Sequence, residues 1–417
     1  MTEVYRPLTP QTLSDRLRDT AAVADRVGGD PDDWTVEEVG DGNLNLVFIV
    51  RGAVGTVIVK QALPYVRLVG DSWPLSPRRA FFEYQALTRQ AERDPGRVPE
   101  VLHFDETQAL LVMDYLTPHT ILRGRLIRGE RTEALGAALG RFCARTAFLG
   151  SDLALPTATR KADAAMFLDN VELCAITEGL VFTDPYFAAE MNNHTPGLDP
   201  VVATLRADVA MKTEVQHLLV AFANHAETLC HGDLHTGSVM CTETETRCID
   251  PEFALYGPFG FDLGMLVANF LMAYFSQPAH RGDDLVEYQA WILSTIEELM
   301  RTFCAEFERL WDSRRSGILY PRALFEDQGQ TSDGARDALI ARIVADAFGF
   351  CGIEMHRRCL SLAHNADFEQ IEDPAVRAPL EARNLMMGRE LILRRREIGS
   401  PQALTALARQ FDREAVR

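Results

Sequence analysis

Cys230-His231-Gly232-Asp233-Leu234-His235-Thr236-Gly237-Ser238, followed by Cys248-Ile249-Asp250-Pro251-Glu252, is the stretch on which the fold turns. Asp233 and Asp250 stand 17 residues apart, and between them two short β-prone runs, 239–241 and 247–249, flank a polar turn at 242–246. A hairpin there returns the chain, so that both carboxylates can face one cleft. Phosphoryl transfer needs this arrangement. One carboxylate accepts or orients the attacking hydroxyl, and others hold Mg²⁺, which neutralises the charge developing in transfer. Positioning and electrostatics supply most of the rate. Two acidic loops in an acidic protein would be the plain alternative, but the His-Gly-Asp context and the downstream Asp-x-Glu speak against it. His231 and His235 have the i, i+4 spacing of zinc ligands on a helix. Gly232 and Gly237 argue for a loop instead, and no His-Glu-x-x-His pattern is present, so His231 is expected to orient the loop through hydrogen bonds.

Upstream, β-branched runs at 36–39, 46–50 and 56–60 are separated by Gly40-Asp41-Gly42-Asn43-Leu44-Asn45 and by a Gly52/Gly55 turn, which is hairpin grammar. Glycines in the first turn let backbone N–H groups approach phosphates, although Asp-Gly also marks an ordinary hairpin. Val57-Ile58-Val59-Lys60 ends the third run in one of only three lysines, against 39 arginines. A lysine is therefore informative in this chain, because a compact ammonium is not interchangeable with a guanidinium fork. In a kinase-like fold it is the α/β-phosphate ligand, and its expected partner is Glu83, on a helix opened by Ser76-Pro77 and running to about 93. A lysine snorkelling from a strand end and a solvated Glu83 are the competing readings. Two more strands are expected near 100–104 and 109–113.

From about residue 131 the apolar period becomes helical, over roughly 131–149, 163–180, 200–228, 283–311, 334–363 and 376–397. The apolar run 265–275 is too short to span a membrane and reads as a buried helix. On the helix at 334–363, Arg357 and Arg358 are adjacent and point to different azimuths, so one at most is expected to pack inward. The segment 326–336 reads as a surface loop and Arg394-Arg395-Arg396 as a solvated helix end. The pattern is α+β: a small five-stranded antiparallel lobe with one helix (1–113), a hinge (114–118), and a larger, mainly helical lobe (119–417).

The formal charge of −18 opposes binding to nucleic acid or an anionic membrane and obliges any polyanion site to build its own positive charge. Eight cysteines without a CxxC pair, and a polar N-terminus, favour a reducing cytoplasm over a disulfide scaffold or zinc site.

The His231–His235 string resembles the catalytic loop of aminoglycoside phosphotransferase-like kinases, within the protein-kinase-like superfamily. The fuller strings, namely Gly40 to Asn45, Asp233 to Ser238, Asp250-Pro251-Glu252-Phe253, Phe350-Cys351-Gly352 leading into Arg357-Arg358, and Leu360 to His364, are similar in order and spacing to the S-methyl-5-thioribose kinases over nearly the whole chain. The resemblance implies a bilobal fold, ATP and Mg²⁺ as cofactors, a homodimer, and phosphorylation of the anomeric hydroxyl of methylthioribose in methionine salvage. It implies Asp233 as the catalytic carboxylate contacting the sugar, with Arg357 and Arg358 facing the transferred phosphate or substrate. Asp250 and Glu252 are implied as magnesium ligands, with Pro251 between them. Gly40, Gly42, Asn43, Asn45, Lys60 and Glu83 are implied on the nucleotide, with Asp114, Tyr115 and Leu116 meeting adenine, and Trp73 near the sugar. Ser238 stands where many relatives carry a metal-binding Asn, which shifts the second metal ligand to Glu252. A kinase of the same fold acting on an aminoglycoside, choline, a hydroxy amino acid or another sugar is the alternative. A non-catalytic nucleotide-binding module is a third reading, disfavoured because Lys60, Asp233, Asp250 and Glu252 are all present.

Overall fold

The computed structural model describes residues 5–40, 44–66 and 70–413. Its early part is an antiparallel five-stranded sheet in the order Thr35–Val39, Asn45–Arg51, Thr56–Ala62, Leu110–Asp114, Val101–Asp105. Thr56–Ala62 is the central strand, and alternation decides its two faces. Val57 and Val59 are fully buried on one side, with Phe48, Val50, Leu110 and Val112. Ile58 and Lys60 face the other side, onto a large cleft.

Two helices that the sequence reading did not assign, Pro10–Leu17 and Ala21–Val27, cover the Val57/Val59 face. Each presents one i, i+4 apolar pair, Leu13/Leu17 and Val23/Val27, which is enough for a two-turn helix to lie on a sheet. The helix on the cleft side begins at Arg79 rather than at Ser76. Pro77 and Arg78 form a turn, and the Ser76 hydroxyl accepts from the Arg78 N–H at 3.2 Å.

In the helical part, Phe261–His280 is buried without interruption from Leu263 to Gln277 and packs between the long helices Leu285–Arg314 and Asp333–Leu360. Two expected helices are each broken in two. Thr157–Phe167 and Val171–Leu180 are separated by buried Asn170, whose amide donates to the carbonyls of Glu252 and Ala254 at 3.0 Å each. Asp199–Ala207 and Val209–Asn224 meet at Asp208, which caps the second by accepting from the Met211 N–H at 2.9 Å. Arg395 is buried rather than solvated, since Asp346 and Glu214 receive its guanidinium at 2.5 and 3.2 Å. Segment 326–336 carries a 3₁₀ turn, Glu326–Gln328, held by Arg315.

Four short strands build the floor of the cleft. Thr228–Cys230 pairs with Leu255–Gly257, and Val239–Cys241 pairs with Thr246–Cys248. They bring residues 231–238 and 249–254 side by side, stitched by Ile249 N–H to Ser238 O and by His231 Nε2 to Ile249 O, both 2.9 Å. All eight cysteines are free thiols, and no helix among the described residues is long and apolar enough to cross a membrane.

Candidate active site

A cleft of about 960 Å³ runs between the sheet and the helices. Asp233 enters it from a loop that only glycine permits. Gly232 has φ +88, and a Cβ there would lie 2.1 Å from the carbonyl oxygen of Phe253. Asp262, in the first turn of the buried helix, accepts from the N–H groups of His231 and Gly232 at 2.6 and 3.0 Å and anchors the loop.

Both oxygens of Asp233 are engaged. Oδ2 lies 3.3 Å from His235 Nε2. His235 Nδ1 accepts from the Gly237 N–H at 2.9 Å, so the neutral ring carries its proton on Nε2 and donates toward Asp233. Burial lowers the His235 pKa to about 4, and the neighbouring Arg123 and Arg358 act in the same direction. Oδ1 of Asp233 faces the guanidiniums of Arg357 and Arg358 at 3.7 and 3.4 Å. Burial alone would raise the Asp233 pKa. His235 and the two arginines outweigh it and hold the carboxylate well below its usual range.

Contrary to the expectation that one arginine at most turns inward, both do: Arg357 is 8 % exposed and Arg358 6 %. Glu354, at i−3 and i−4 on the same helix and fully buried, receives Arg357 Nε at 3.0 Å on one oxygen and Arg358 Nε at 2.6 Å on the other. A single carboxylate thus compensates both Nε groups and leaves the outer edges of both forks toward Asp233.

The second cluster joins the sheet to the floor. Lys60 Nζ lies 2.8 Å from Glu83, which is 2 % exposed, and is ion-paired with Asp250. Burial opposes the Lys60 charge, but Asp250, Glu252 and Glu83 more than offset it and raise its pKa. Glu252 is held by the Asn45 amide at 3.0 Å and by Arg79 Nε at 3.3 Å. Arg79 in turn donates to the carbonyls of Leu63 and Leu44 at 2.7 and 2.6 Å, so a buried guanidinium ties strand, turn and acidic floor together. Burial pushes Glu83 and Glu252 up. Oxygens of Glu83, Asp250 and Glu252 all lie within 4.8 Å of one another. With all three carboxylates ionised they exceed the two cations by one formal charge, and burial pushes Glu83, to about 8, and Glu252 toward the neutral form until a cation arrives. Clustered carboxylate oxygens are the donor set of a hard divalent cation such as Mg²⁺. Asp250 adopts φ +69, a left-handed conformation unusual outside glycine, which fits a residue held for function.

The remaining expected residues fall as follows. Asp114, Tyr115 and Leu116 border the cleft where the strand Leu110–Asp114 ends. The Asp114 carboxylate pairs with Arg26 and its N–H donates to Glu100 O at 3.0 Å. Trp73 lines the cleft with Leu44, Ile176 and Phe253. Asn45 reaches the cleft, but its amide is spent on Glu252 and Arg79. Pro251 is buried, Gly40 follows the first strand, and neither is among the described residues that line the cleft. Gly42 and Asn43 lie outside the described residues. The sequence reading missed Asp262, Glu354, Arg79 and Arg123. Of these, only Glu354 carried a signal, its i, i+3 and i, i+4 spacing to the two arginines.

A small sheet over a mainly helical remainder, with a lysine–glutamate pair and a carboxylate loop between them, defines a phosphotransferase. Residues 35–299 match the phosphotransferase enzyme family, to which the chain belongs. Within it the chain is a member of the methylthioribose kinases. It is 42% identical over 397 residues to a methylthioribose kinase from Escherichia coli O45:K1 (strain S88), covering 94% of this chain and 95% of that one. It is 41% identical over 416 residues to methylthioribose kinase 1 of Oryza sativa subsp. japonica, covering 98% and 96%. Among solved structures, a glucosamine kinase in complex with glucosamine, ADP and inorganic phosphate aligns over 91% of this chain and 86% of that chain, at 16% identity and a TM-score of 0.47.

Proposed function

We propose that the protein transfers the terminal phosphoryl group of ATP to the anomeric hydroxyl of S-methyl-5-thio-D-ribose, giving the 1-phosphate and ADP in methionine salvage. The observation that carries this reading is Asp233, ionised and held between two guanidiniums and a histidine donor, facing a lysine–carboxylate cluster across one cleft in a chain of this family. In the step, the hydroxyl oxygen forms a bond to the terminal phosphorus while the bond from that phosphorus to the bridging oxygen of ADP breaks. Asp233 accepts the hydroxyl's hydrogen bond and aims its oxygen. So weak a base orients rather than deprotonates early; the proton passes to Asp233 late, as the new bond forms, and from there to solvent. Arg357 and Arg358 hold negative charge on the moving group, and Lys60 grips the phosphates of ATP. Asp250 and Glu252, with Glu83 beside them, would hold Mg²⁺, which supplies charge neutralisation when bound.

Residues 1–113 and 119–417 act as nucleotide and catalytic lobes about a hinge at 114–118, where Tyr115 and Leu116 face adenine. A homodimer and a cytoplasmic location complete the reading, the first supported by family resemblance and the second by the free cysteines.

Coupled ADP release with methylthioribose, ribose and kanamycin, side by side at fixed Mg·ATP, tests the assignment. Turnover confined to methylthioribose is expected, and a far higher kcat/KM with another acceptor overturns it. Asp233→Asn should lower kcat by at least about 10²-fold with ATP affinity little changed. Normal turnover in that variant removes Asp233 from the mechanism.

A further inference from the structure

Next to the two arginines stands a third that neither the motifs nor the proposed mechanism uses. Arg123, on the short helix Leu122–Arg128, lines the cleft. Its guanidinium is braced on two edges: Nε lies 3.3 Å from the Thr236 hydroxyl and 3.6 Å from Asp367, and Nη2 donates to Asn269 Oδ1 at 2.9 Å. Asn269 turns its amide to Glu354 at 3.4 Å, so the same residue touches the carboxylate that holds the arginine pair. Asp367 is fully buried, and the charge nearest to it is that of Arg123, with Arg358 acting in the same direction. This is an expensive arrangement if its only purpose is packing.

Nη1 of Arg123 is different. Among the described residues it meets no hydrogen-bond acceptor, and it is not sealed from the cleft. It lies against Gly237, 3.1 Å from where a Cβ at that position would be, so a larger residue there would crowd it. Asp233, Arg358 and Glu354 all act on its charge, which puts it within the electrostatic field of the reacting centre.

We propose that Arg123 is a third phosphate-facing cation of the acceptor subsite, its Nη1 donating to an oxygen of the transferred phosphoryl group and of the sugar phosphate product. The proposal rests on the reaction assigned above. Its physical basis is charge placement. Glu354 and Asp367, the counter-ions of the three guanidiniums, are both buried behind them, so the cleft-facing edges are positive. A neutral sugar has no need of three such edges. A phosphate monoester formed beside ionised Asp233 does, because the two anions repel unless cations lie between them. A braced fork with one free nitrogen is preorganised for that contact.

Arg123→Gln and Arg123→Lys, with the wild type, test it by calorimetric titration of methylthioribose, of S-methyl-5-thioribose 1-phosphate and of inorganic phosphate, alongside kcat. In Arg123→Gln, affinity for the sugar phosphate should fall about tenfold or more, the loss of one charged hydrogen bond. Inorganic phosphate should weaken in parallel, the neutral sugar should change by less than about threefold, and kcat should fall. Arg123→Lys keeps the charge and loses the fork, so it should recover part of the phosphate affinity; it also serves if the glutamine variant does not fold. Equal weakening of sugar and sugar phosphate makes Arg123 a sugar contact and overturns the proposal. Unchanged phosphate affinity in both variants reduces it to a brace and also overturns it. Absence of wild-type turnover with methylthioribose refutes the assigned reaction instead, and the inorganic phosphate titration still reads Arg123 on its own.

Discussion

At the scale of the residue, Glu354 decides more than its lack of any direct reactive role suggests. Fully buried, it is the shared acceptor for Arg357 and Arg358, and those two guanidiniums outweigh burial and hold it ionised. Removing its charge leaves two buried cations with Asp233 as their nearest carboxylate and Asp367 farther off. Glu354→Gln is therefore expected to cost about 3–5 kcal/mol of stability, the penalty for breaking a buried ionic group on one side. It should also lower kcat, because the forks lose the brace that aims them. Urea unfolding and steady-state turnover measure the two effects, and wild-type stability in the variant would mean that Asp233 alone compensates the pair. The arginines themselves were legible in the sequence. Their joint inward orientation was not, because azimuth along one helix says nothing about a carboxylate that rewards both. Asp233, Asp250 and Glu252 were legible for a plainer reason: each sits beside a glycine or a proline that constrains its backbone. Lys60 stood out as one of three lysines, although its strand runs on to Ala62 rather than ending at it. Arg79, Asp262 and Arg123 work through tertiary hydrogen bonds to chain segments far away in sequence, and no local pattern marks them.

At the scale of the element, the strands of the sheet and the long helices follow from period alone, while their interruptions do not. Asn170 and Asp208 break apolar periods that continue across them, since one amide braces the loop beside Glu252 and one carboxylate caps a helix. The two N-terminal helices escape because eight and seven residues carry too few apolar repeats to stand out. The helix Pro374–Ile398 contributes a titrating group of its own. Glu381 is buried, one of its oxygens meets no donor, and burial raises its pKa to about 7. The groups facing it are the Thr195 hydroxyl, Arg377 one turn earlier, Glu369 on the helix Ala366–Glu369, and the Cys359 thiol at the end of Asp333–Leu360. Its folded pKa lies above the unfolded value, so between about pH 4.5 and about pH 7 the folded state binds more protons than the unfolded one. This group's contribution to stability is therefore lost as pH rises through that window. Glu381→Gln removes it. The variant should gain on the wild type by up to about 3 kcal/mol between about pH 5 and about pH 8, read from urea midpoints. A difference that does not change with pH would show that Glu381 stays charged in the folded protein.

At the scale of the whole molecule, the governing fact is that a protein of formal charge −18 must receive a polyanion. The cleft carries local positive charge against that background: Lys60 comes from the sheet, Arg123, Arg357 and Arg358 come from the helices, and Arg79 is buried behind Glu252. That positive charge is offset at the carboxylate cluster, where Glu83, Asp250 and Glu252 exceed their two cations by one charge when all are ionised and burial pushes Glu83 and Glu252 toward the neutral form. ATP without a cation therefore brings its phosphates against acidic groups that do not attract them, whereas Mg·ATP brings a cation against which those carboxylates can ionise. Because the cleft is walled by both parts of the fold, a nucleotide bound there stabilises the molecule as a unit, by about 2.7 kcal/mol at ~100 times its Kd. Thermal unfolding with ATP plus chelator should therefore show a much smaller rise in Tm than with Mg·ATP. Glu252→Gln removes one carboxylate and one ligand together. In that variant the chelated nucleotide should bind better than in the wild type and the metal should add less, so the two Tm shifts should converge from both sides. A loss of both shifts in parallel would show instead that Glu252 matters only for holding Arg79 and Asn45 in place. Equal shifts with and without metal in the wild type would mean that the three carboxylates are paired within the protein and do not call for a cation at all.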